Sequence, residues 1–373
     1  MREETSRAWR EVNLNALAHN AGTLQAALAP GCRLMAVVKA DAYGHGAISV
    51  ARRLEAEGVK AFAAACLEEG ISLRRSGIQG KILILGYTPP EMAAQICRWS
   101  LIQSVVDEDH GRALAAQGMP LSVHLALDTG MHRLGIPAED HAALRRLYEL
   151  SNLNVEGVFS HLCVSDSLEA EDVAFTHAQL ERFYGTVRWL KTHGLAPGEI
   201  HIQASCGIWN LPPQLCAWAR AGIALYGAAS GDGPTGRELD LRPVLSLRTR
   251  VASVRTLLPG EGAGYGLAFR ADKVRRLAVV TIGYADGLPR SLSQQRGEVL
   301  LHGMRCPMVG RMCMDQLLVD VTGVPCVKPG DTATLIGADG GQVIRAEDVA
   351  RQCGTITNEI LSRLGHRLPM IAD

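Results

Sequence analysis

The chain has 373 residues, 47% of them hydrophobic and 20% charged, which is enough for one large folded domain and a smaller one. Lys+Arg and Asp+Glu both number 38, so zero net charge argues against electrostatic capture of nucleic acid or an acidic membrane surface. No apolar run approaches the ~20 residues of a membrane span. The charged start MREETSRAWREVNLNALAHN has no apolar signal region, which makes the cytoplasm the expected location.

From the N-terminus onward, short apolar runs alternate with helical patterns. Candidate strands are 34–38, 60–64, 81–85, 101–106, 121–127, 155–160, 199–204 and 218–221. Helical periodicity falls between most of them, as in 67–76, 138–150 and 171–193. Eight strands alternating with helices predict a (β/α)8 TIM-type barrel. The runs are continuously apolar, as strands covered on both faces should be. The polar stretch GDGPTGRELDL (231–241) then marks a boundary, which divides the chain into a barrel over 1–240 and a β-rich domain over 241–373. Candidate strands there are 244–257, 277–282, 299–301, 317–321 and 332–336, with a short terminal helix in 345–364.

Ten cysteines form no CxxC pair, and neither they nor the 12 histidines show metal-ligand spacing. Reduced, mostly buried thiols and no metal are expected.

Lys39 directly follows the apolar run LMAVV, which puts it at the C-terminal end of the first barrel strand. That end is the catalytic face of such barrels. A lysine desolvated there can attack an aldehyde, whereas an ordinary lysine would simply begin a solvated loop.

AVVKADAYGHG (36–46) resembles the cofactor motif of bacterial alanine racemases. DTGMHRLG (128–135), RAGIALYG (220–227), GAGYGLAF (262–269), IGYADG (282–287) and GRMCMDQ (310–316) follow in that family's order. The resemblance covers nearly the whole chain. It implies a pyridoxal 5'-phosphate (PLP) barrel and a β-domain in a head-to-tail homodimer, with each active site shared between subunits.

By the same resemblance, Lys39 holds PLP as a Schiff base and serves one face of the substrate α-carbon. Tyr265 of the partner subunit would serve the other face. Inversion needs removal on one side and delivery on the other, by groups of workable pKa. A phenol, with an ordinary pKa of about 10, then needs a nearby cation. Arg133 fits that need and the substrate carboxylate. Arg220 matches the residue facing the pyridine nitrogen, and its guanidinium surrenders no proton, so the ring would be a weak electron sink. His161 resembles the residue that supports Arg220. Tyr43, Ser205 and the N–H groups of Gly222 and Ile223 match the phosphate site. Met314 and Asp315 match a substrate-contacting pair from the second subunit, and Tyr284 an access-channel residue.

Three positions depart from alanine racemases. Ala126 replaces a lysine that can be carbamylated, so Arg133 needs another anion, either chloride or a nearby carboxylate. Ala204 in HIQAS (201–205) replaces an asparagine of the family. Asn358 in GTITNEI (354–360) replaces a tyrosine beside the substrate side chain, freeing volume and offering a donor and an acceptor to a serine hydroxyl. These features resemble the catalytic part of the serine racemases associated with vancomycin resistance, which carry an N-terminal membrane domain. The chain is therefore expected to be a soluble relative or the catalytic part of a longer protein. Interconversion of the L- and D-forms of serine, alanine or both is expected. The alternatives are an alanine-only racemase, a related PLP decarboxylase and a non-enzymatic PLP carrier. The decarboxylases usually set an acidic residue against the ring nitrogen, and the carriers lack the β-domain.

Overall fold

A computed structural model describes residues 6–231 and 233–372. The first five residues of the charged N-terminal stretch, Asp232 of the predicted connection and Asp373 lie outside the described residues.

Strand β1 (Ala8–Val12) leads into helix α1 (Leu14–Ala26), whose first turn is capped by Asn13 accepting from the Ala16 N–H at 2.7 Å. The barrel follows. Its first four strands are β2 (Arg33–Val37), β3 (Ala61–Ala64), β4 (Lys81–Ile84) and β5 (Ile102–Val105). Between them lie helices α2 (Lys39–Gly44), α3 (Ala47–Ala56), α4 (Leu67–Arg75) and α5 (Ala93–Arg98). Helix α6 (Glu108–Ala115) precedes β6 (Leu121–Asp128), with the short β7 (Ile136–Pro137) on its flank. Then come α7 (His141–Tyr148), β8 (Leu153–Phe159), α8 (Ala170–Thr192), β9 (Glu199–His201), α9 (Ser205–Asn210) and β10 (Trp218–Ala221).

All eight barrel strands pair in parallel, in the order β10-β2-β3-β4-β5-β6-β8-β9. The Ala217 N–H bonds the Ile200 carbonyl and the Arg220 N–H the Gln203 carbonyl, both at 2.9 Å, which draws β9 onto β10. In β6, Leu121, Val123, Leu125 and Leu127 pack into the apolar layer under the helices. Period-two alternation turns Ser122, His124, Ala126 and Asp128 to the barrel interior. The predicted barrel strands thus match the observed ones to within a few residues.

The second domain is built around β11 (Leu245–Leu257), a strand bent by register shifts at Val251/Ser253 and Leu247/Arg248. The hairpin β12 (Gly262–Ala263) and β13 (Phe269–Arg270) is followed by β14 (Arg275–Val280), β15 (Glu298–Leu301), β16 (Met304–Val309), β17 (Leu317–Asp320), β18 (Thr332–Asp339) and β19 (Gln342–Ile344). Strand β18 pairs with both β15 and β11, so β11-β14-β17-β16-β15-β18 closes into a ring. Closure leaves no free edge within that ring.

Three sequence expectations are corrected. The helical segment 345–364 is two helices, α10 (Ala346–Cys353) and α11 (Thr357–Ser362), because Gly354 adopts φ +68° and caps the first. The described chain ends in strand β20 (Met370–Ala372), not in a helix. Strand β20 pairs with β1, and β1 pairs with β11, so the first strand of the chain belongs to the second domain's sheet. All ten cysteines are unpaired, but only Cys32, Cys216 and Cys306 are buried, and Cys326 is exposed. The thiols are therefore mostly half-buried rather than buried. Among the described residues, no helix is long and apolar enough to cross a membrane.

Candidate active site

Lys39 lies just past the end of β2, and Ala40 to Tyr43 after it form a left-handed turn with φ between +52° and +55°. Such a conformation costs L-residues roughly 1–2 kcal/mol each. The turn is held from outside. Glu69 of α4 accepts from the Ala40 and Ala65 N–H groups, each at 2.7 Å, and Asp41 accepts from the Ala47 N–H at 2.8 Å. Buried Arg10 donates to the Gly44 carbonyl at 2.6 Å. Gly44 itself is required, because a Cβ there would lie 2.2 Å from the Leu361 carbonyl oxygen. Strain concentrated beside one lysine marks a position fixed by its surroundings.

That lysine lines a cavity of about 340 Å³ at the C-terminal mouth of the barrel. The same cavity is lined by Tyr43, Arg133, His161, Ser205, Arg220, Gly222, Ile223 and Asn358. Nine predicted site residues, Lys39 included, therefore converge. Burial lowers the Lys39 pKa from its ordinary value, and the charges of Arg133 and Arg220 lower it further against an opposing pull from Glu69. Ala126 and Ala204 line the cavity too. Among the described residues Arg133 has no ion-pair partner, so of the two anions expected for it, chloride or a carboxylate, none of the described carboxylates takes the place.

Arg220 is buried, and its Nη atoms are fully engaged. Nη1 donates to His201 Nδ1 at 2.6 Å, while Nη2 donates to the Ser160 carbonyl at 2.7 Å and lies 3.2 Å from His161 Nδ1. Burial lowers its pKa to about 10, which keeps it charged at neutral pH. Burial, reinforced by the neighbouring cations, lowers His161 to about 3, so this imidazole is neutral and accepts.

The residues expected to hold a phosphate are equally specific in their contacts. The Ser205 hydroxyl oxygen accepts from the Gly222 N–H at 3.0 Å and the Ala224 N–H at 3.3 Å, which leaves its own O–H to donate elsewhere. A Cβ on Gly222 would sit 2.7 Å from the Tyr43 hydroxyl oxygen. Glycine thus keeps open a small space bordered by two hydroxyl groups.

Four predicted residues are not in this cavity. Tyr265 stands on the tip between β12 and β13 and is 69% exposed. Tyr284 and Met314 are also exposed, and their loops bond each other through Tyr284 N–H to the Cys313 carbonyl and Ala285 N–H to the Met314 carbonyl. Asp315 pairs with Arg367 at 2.5 Å. A Cβ on Gly266 would lie 3.2 Å from the Arg311 guanidinium, which places the Tyr265 tip beside the 310–315 loop. The second domain therefore displays these four residues on its outer surface. Glu69, Asp41, Arg10 and His201 are supporting residues that motif reading passed over. Asp41 and His201 had a sequence signal, their places in AVVKADAYGHG and HIQAS.

The alanine racemase N-terminal domain matches residues 12–230, and the alanine racemase C-terminal domain matches residues 244–372. The chain belongs to the alanine racemase family. An amino-acid racemase of Enterococcus faecalis is 45% identical over 369 residues, covering 99% of the chain and 52% of that relative. A serine/alanine racemase of Enterococcus gallinarum is 39% identical, covering 97% of the chain and 51% of the relative. The chain spans about half the length of these two relatives. Among solved structures, the alanine racemase from Bacillus anthracis with bound L-Ala-P superposes with a TM-score of 0.91 at 32% identity, covering 98% of the chain and 95% of that structure.

The family's cofactor is PLP, and the residues present fit it. The lysine is desolvated at a strand end, the Tyr43 and Ser205 hydroxyls that line the cavity suit an anion, and a buried guanidinium stands in the same cavity.

Proposed function

We propose that the chain is a PLP-dependent racemase that interconverts the L- and D-forms of serine and alanine, working as a homodimer. In this reading the barrel, residues 1–240, holds the cofactor, and residues 241–373 complete the site of the other subunit. What PLP supplies when bound is an aldehyde for the substrate amine and a conjugated ring that delocalises the electron pair left at the α-carbon.

Lys39 Nζ holds the cofactor and moves a proton on one face of that carbon, helped by the burial that weakens its hold on a proton. Tyr265 Oη of the partner subunit moves the proton on the opposite face. Its exposure on a fixed hairpin tip, off its own chain's cavity, supports this role. Arg133 grips the substrate carboxylate, while Tyr284, Met314 and Asp315 border the substrate from the partner's second domain. Tyr43, Ser205 and the Ile223 N–H hold the phosphate, while the Gly222 N–H, also expected there, is given to Ser205 in this structure and orients that hydroxyl. Arg220, its Nη atoms held by His201, Ser160 and His161, has its Nε–H left to face the ring nitrogen and keeps its own proton. The weak sink that results suits serine, whose β-hydroxyl would otherwise be a leaving group.

Asn358 carries the assignment to serine. Its Oδ1 is buried, has no partner among the described residues and belongs to the side chain that lines the Lys39 cavity. A buried acceptor without a donor is costly, and a substrate hydroxyl satisfies it. The test is racemisation of L-serine and L-alanine by the PLP-loaded protein, read as kcat/KM for each. Turnover of both is expected. Turnover of alanine alone would reduce the protein to an alanine racemase, and release of carbon dioxide would overturn the racemase reading.

A further inference from the structure

Beneath Arg220, the barrel interior carries a string of buried imidazoles. Arg220 Nη1 lies 2.6 Å from His201 Nδ1, and a guanidinium has no lone pair to offer. His201 must therefore accept on Nδ1 and carry its proton on Nε2. That Nε2 lies 2.8 Å from His124 Nδ1, so His124 accepts in turn. Both rings are fully buried, and burial keeps each neutral, lowering His124 to about 4 and His201 well below its ordinary value. The Phe159 ring stacks parallel on His201 at 4.8 Å and fixes its plane.

The chain is also shaped to admit His124. Its register partner on β8 is Gly157, next to a register shift at Val123/His124. A Cβ on Gly157 would lie 2.7 and 2.8 Å from His124 ring atoms. At the far end, His124 Nε2 has no acceptor among the described residues, a cost the fold carries to keep this tautomer. An imidazole acceptor, unlike a carboxylate, leaves the Arg220 charge unneutralised.

We propose that His124 is a positioning residue: by accepting from His201 Nε2–H, it fixes the tautomer that holds Arg220 toward the cofactor ring nitrogen. This rests on the assignment of Arg220 made above. Without His124, the His201 Nε2–H is left buried with no acceptor, which weakens the tautomer that accepts from Arg220 and favours the Nδ1–H form that sets donor against donor there.

The test uses 15N NMR of the histidine side chains in cofactor-free protein, together with PLP titration. His201 protonated on Nε2 is expected in the unsubstituted protein. In His124→Phe, which keeps bulk but offers no acceptor, the Nδ1–H form should appear. PLP binding should weaken about tenfold, the size of one lost hydrogen bond, and the absorbance band of bound cofactor should move. In His124→Asn, whose Oδ1 takes the place of Nδ1, the tautomer and the band should be restored. His201 protonated on Nδ1 in the unsubstituted protein would overturn the proposal, as would a folded His124→Phe with unchanged tautomer and band. If His124→Phe does not fold, loss of the tautomer in a folded His124→Asn overturns it instead. An unchanged cofactor band in Arg220→Lys, with the expected His201 tautomer, would count against the Arg220 assignment and not against the tautomer lock.

Discussion

Replacing Asn358 isolates the contact on which the proposed serine recognition rests. Its Oδ1 is buried without a partner beside the Lys39 cavity, so a substrate hydroxyl would convert an unmet acceptor into a met one. A neutral hydrogen bond contributes about 0.5–1.5 kcal/mol net, and a buried polar group left unpaired costs about 1–3 kcal/mol. At ~1.4 kcal/mol per factor of ten, Asn358→Leu should lower the serine-to-alanine ratio of kcat/KM by about 5- to 100-fold. Leucine has similar bulk, so alanine turnover should stay nearly unchanged. Asn358→Tyr should lower the ratio at least as far, because the phenol also fills the space a hydroxymethyl group needs. The assay follows loss of optical rotation or chiral chromatography with each L-amino acid over a concentration series. An unchanged ratio in both variants would refute the account of specificity.

Lys39→Ala should abolish the absorbance of bound cofactor, whereas Tyr265→Phe should keep it and lose about 100- to 10,000-fold in racemisation, the usual share of one acid–base group. A Tyr265→Phe protein with full activity would remove the second base. Gly222→Ala puts a Cβ 2.7 Å from the Tyr43 hydroxyl oxygen, so PLP titration should show weakened binding while the circular dichroism of the fold is retained. Burial lowers His45 and His124 to about 4 and His161 to about 3, against ~6.5 when unfolded. The unfolded chain therefore binds more protons between those values, so this stability is complete above about pH 6.5 and lost as pH falls toward 4. Near pH 5 the slope should be on the order of 4 kcal/mol per unit, read from urea unfolding of cofactor-free protein. A flat profile from pH 6.5 to 5 would contradict neutral burial of these rings.

The barrel was legible because buried parallel strands are apolar along their whole length and are punctuated by helices, as in AFAA of β3, which is buried at every position. Lys39, Arg220 and the phosphate residues were legible as motifs, and the barrel mouth gathers them. Strand β1 was not. AWREV has no distinctive local pattern, and its strand character comes from pairing with residues more than 230 positions away. The left-handed turn after Lys39 was equally hidden, since nothing in ADAY demands positive φ. Glu69 and Arg10 impose it from elsewhere, together with the bond that Asp41 accepts from the Ala47 N–H beyond the turn. The anion expected for Arg133 was inferred from the lost lysine at Ala126, and among the described residues no carboxylate takes that place. His124 escaped motif reading because its partner His201 lies 77 positions along the chain.

A shared active site with two bases is the central claim, and subunit mixing tests it directly. Lys39→Ala and Tyr265→Phe should each be inactive alone. Equilibrated together, half of the dimers combine the two, and one of their two sites then holds an intact Lys39 and an intact Tyr265. Racemisation should return to about a quarter of the unsubstituted level, as a two-fold dimer dictates. If the mixture stays inactive while mass spectrometry shows that mixed dimers have formed, Lys39 and Tyr265 do not meet across subunits.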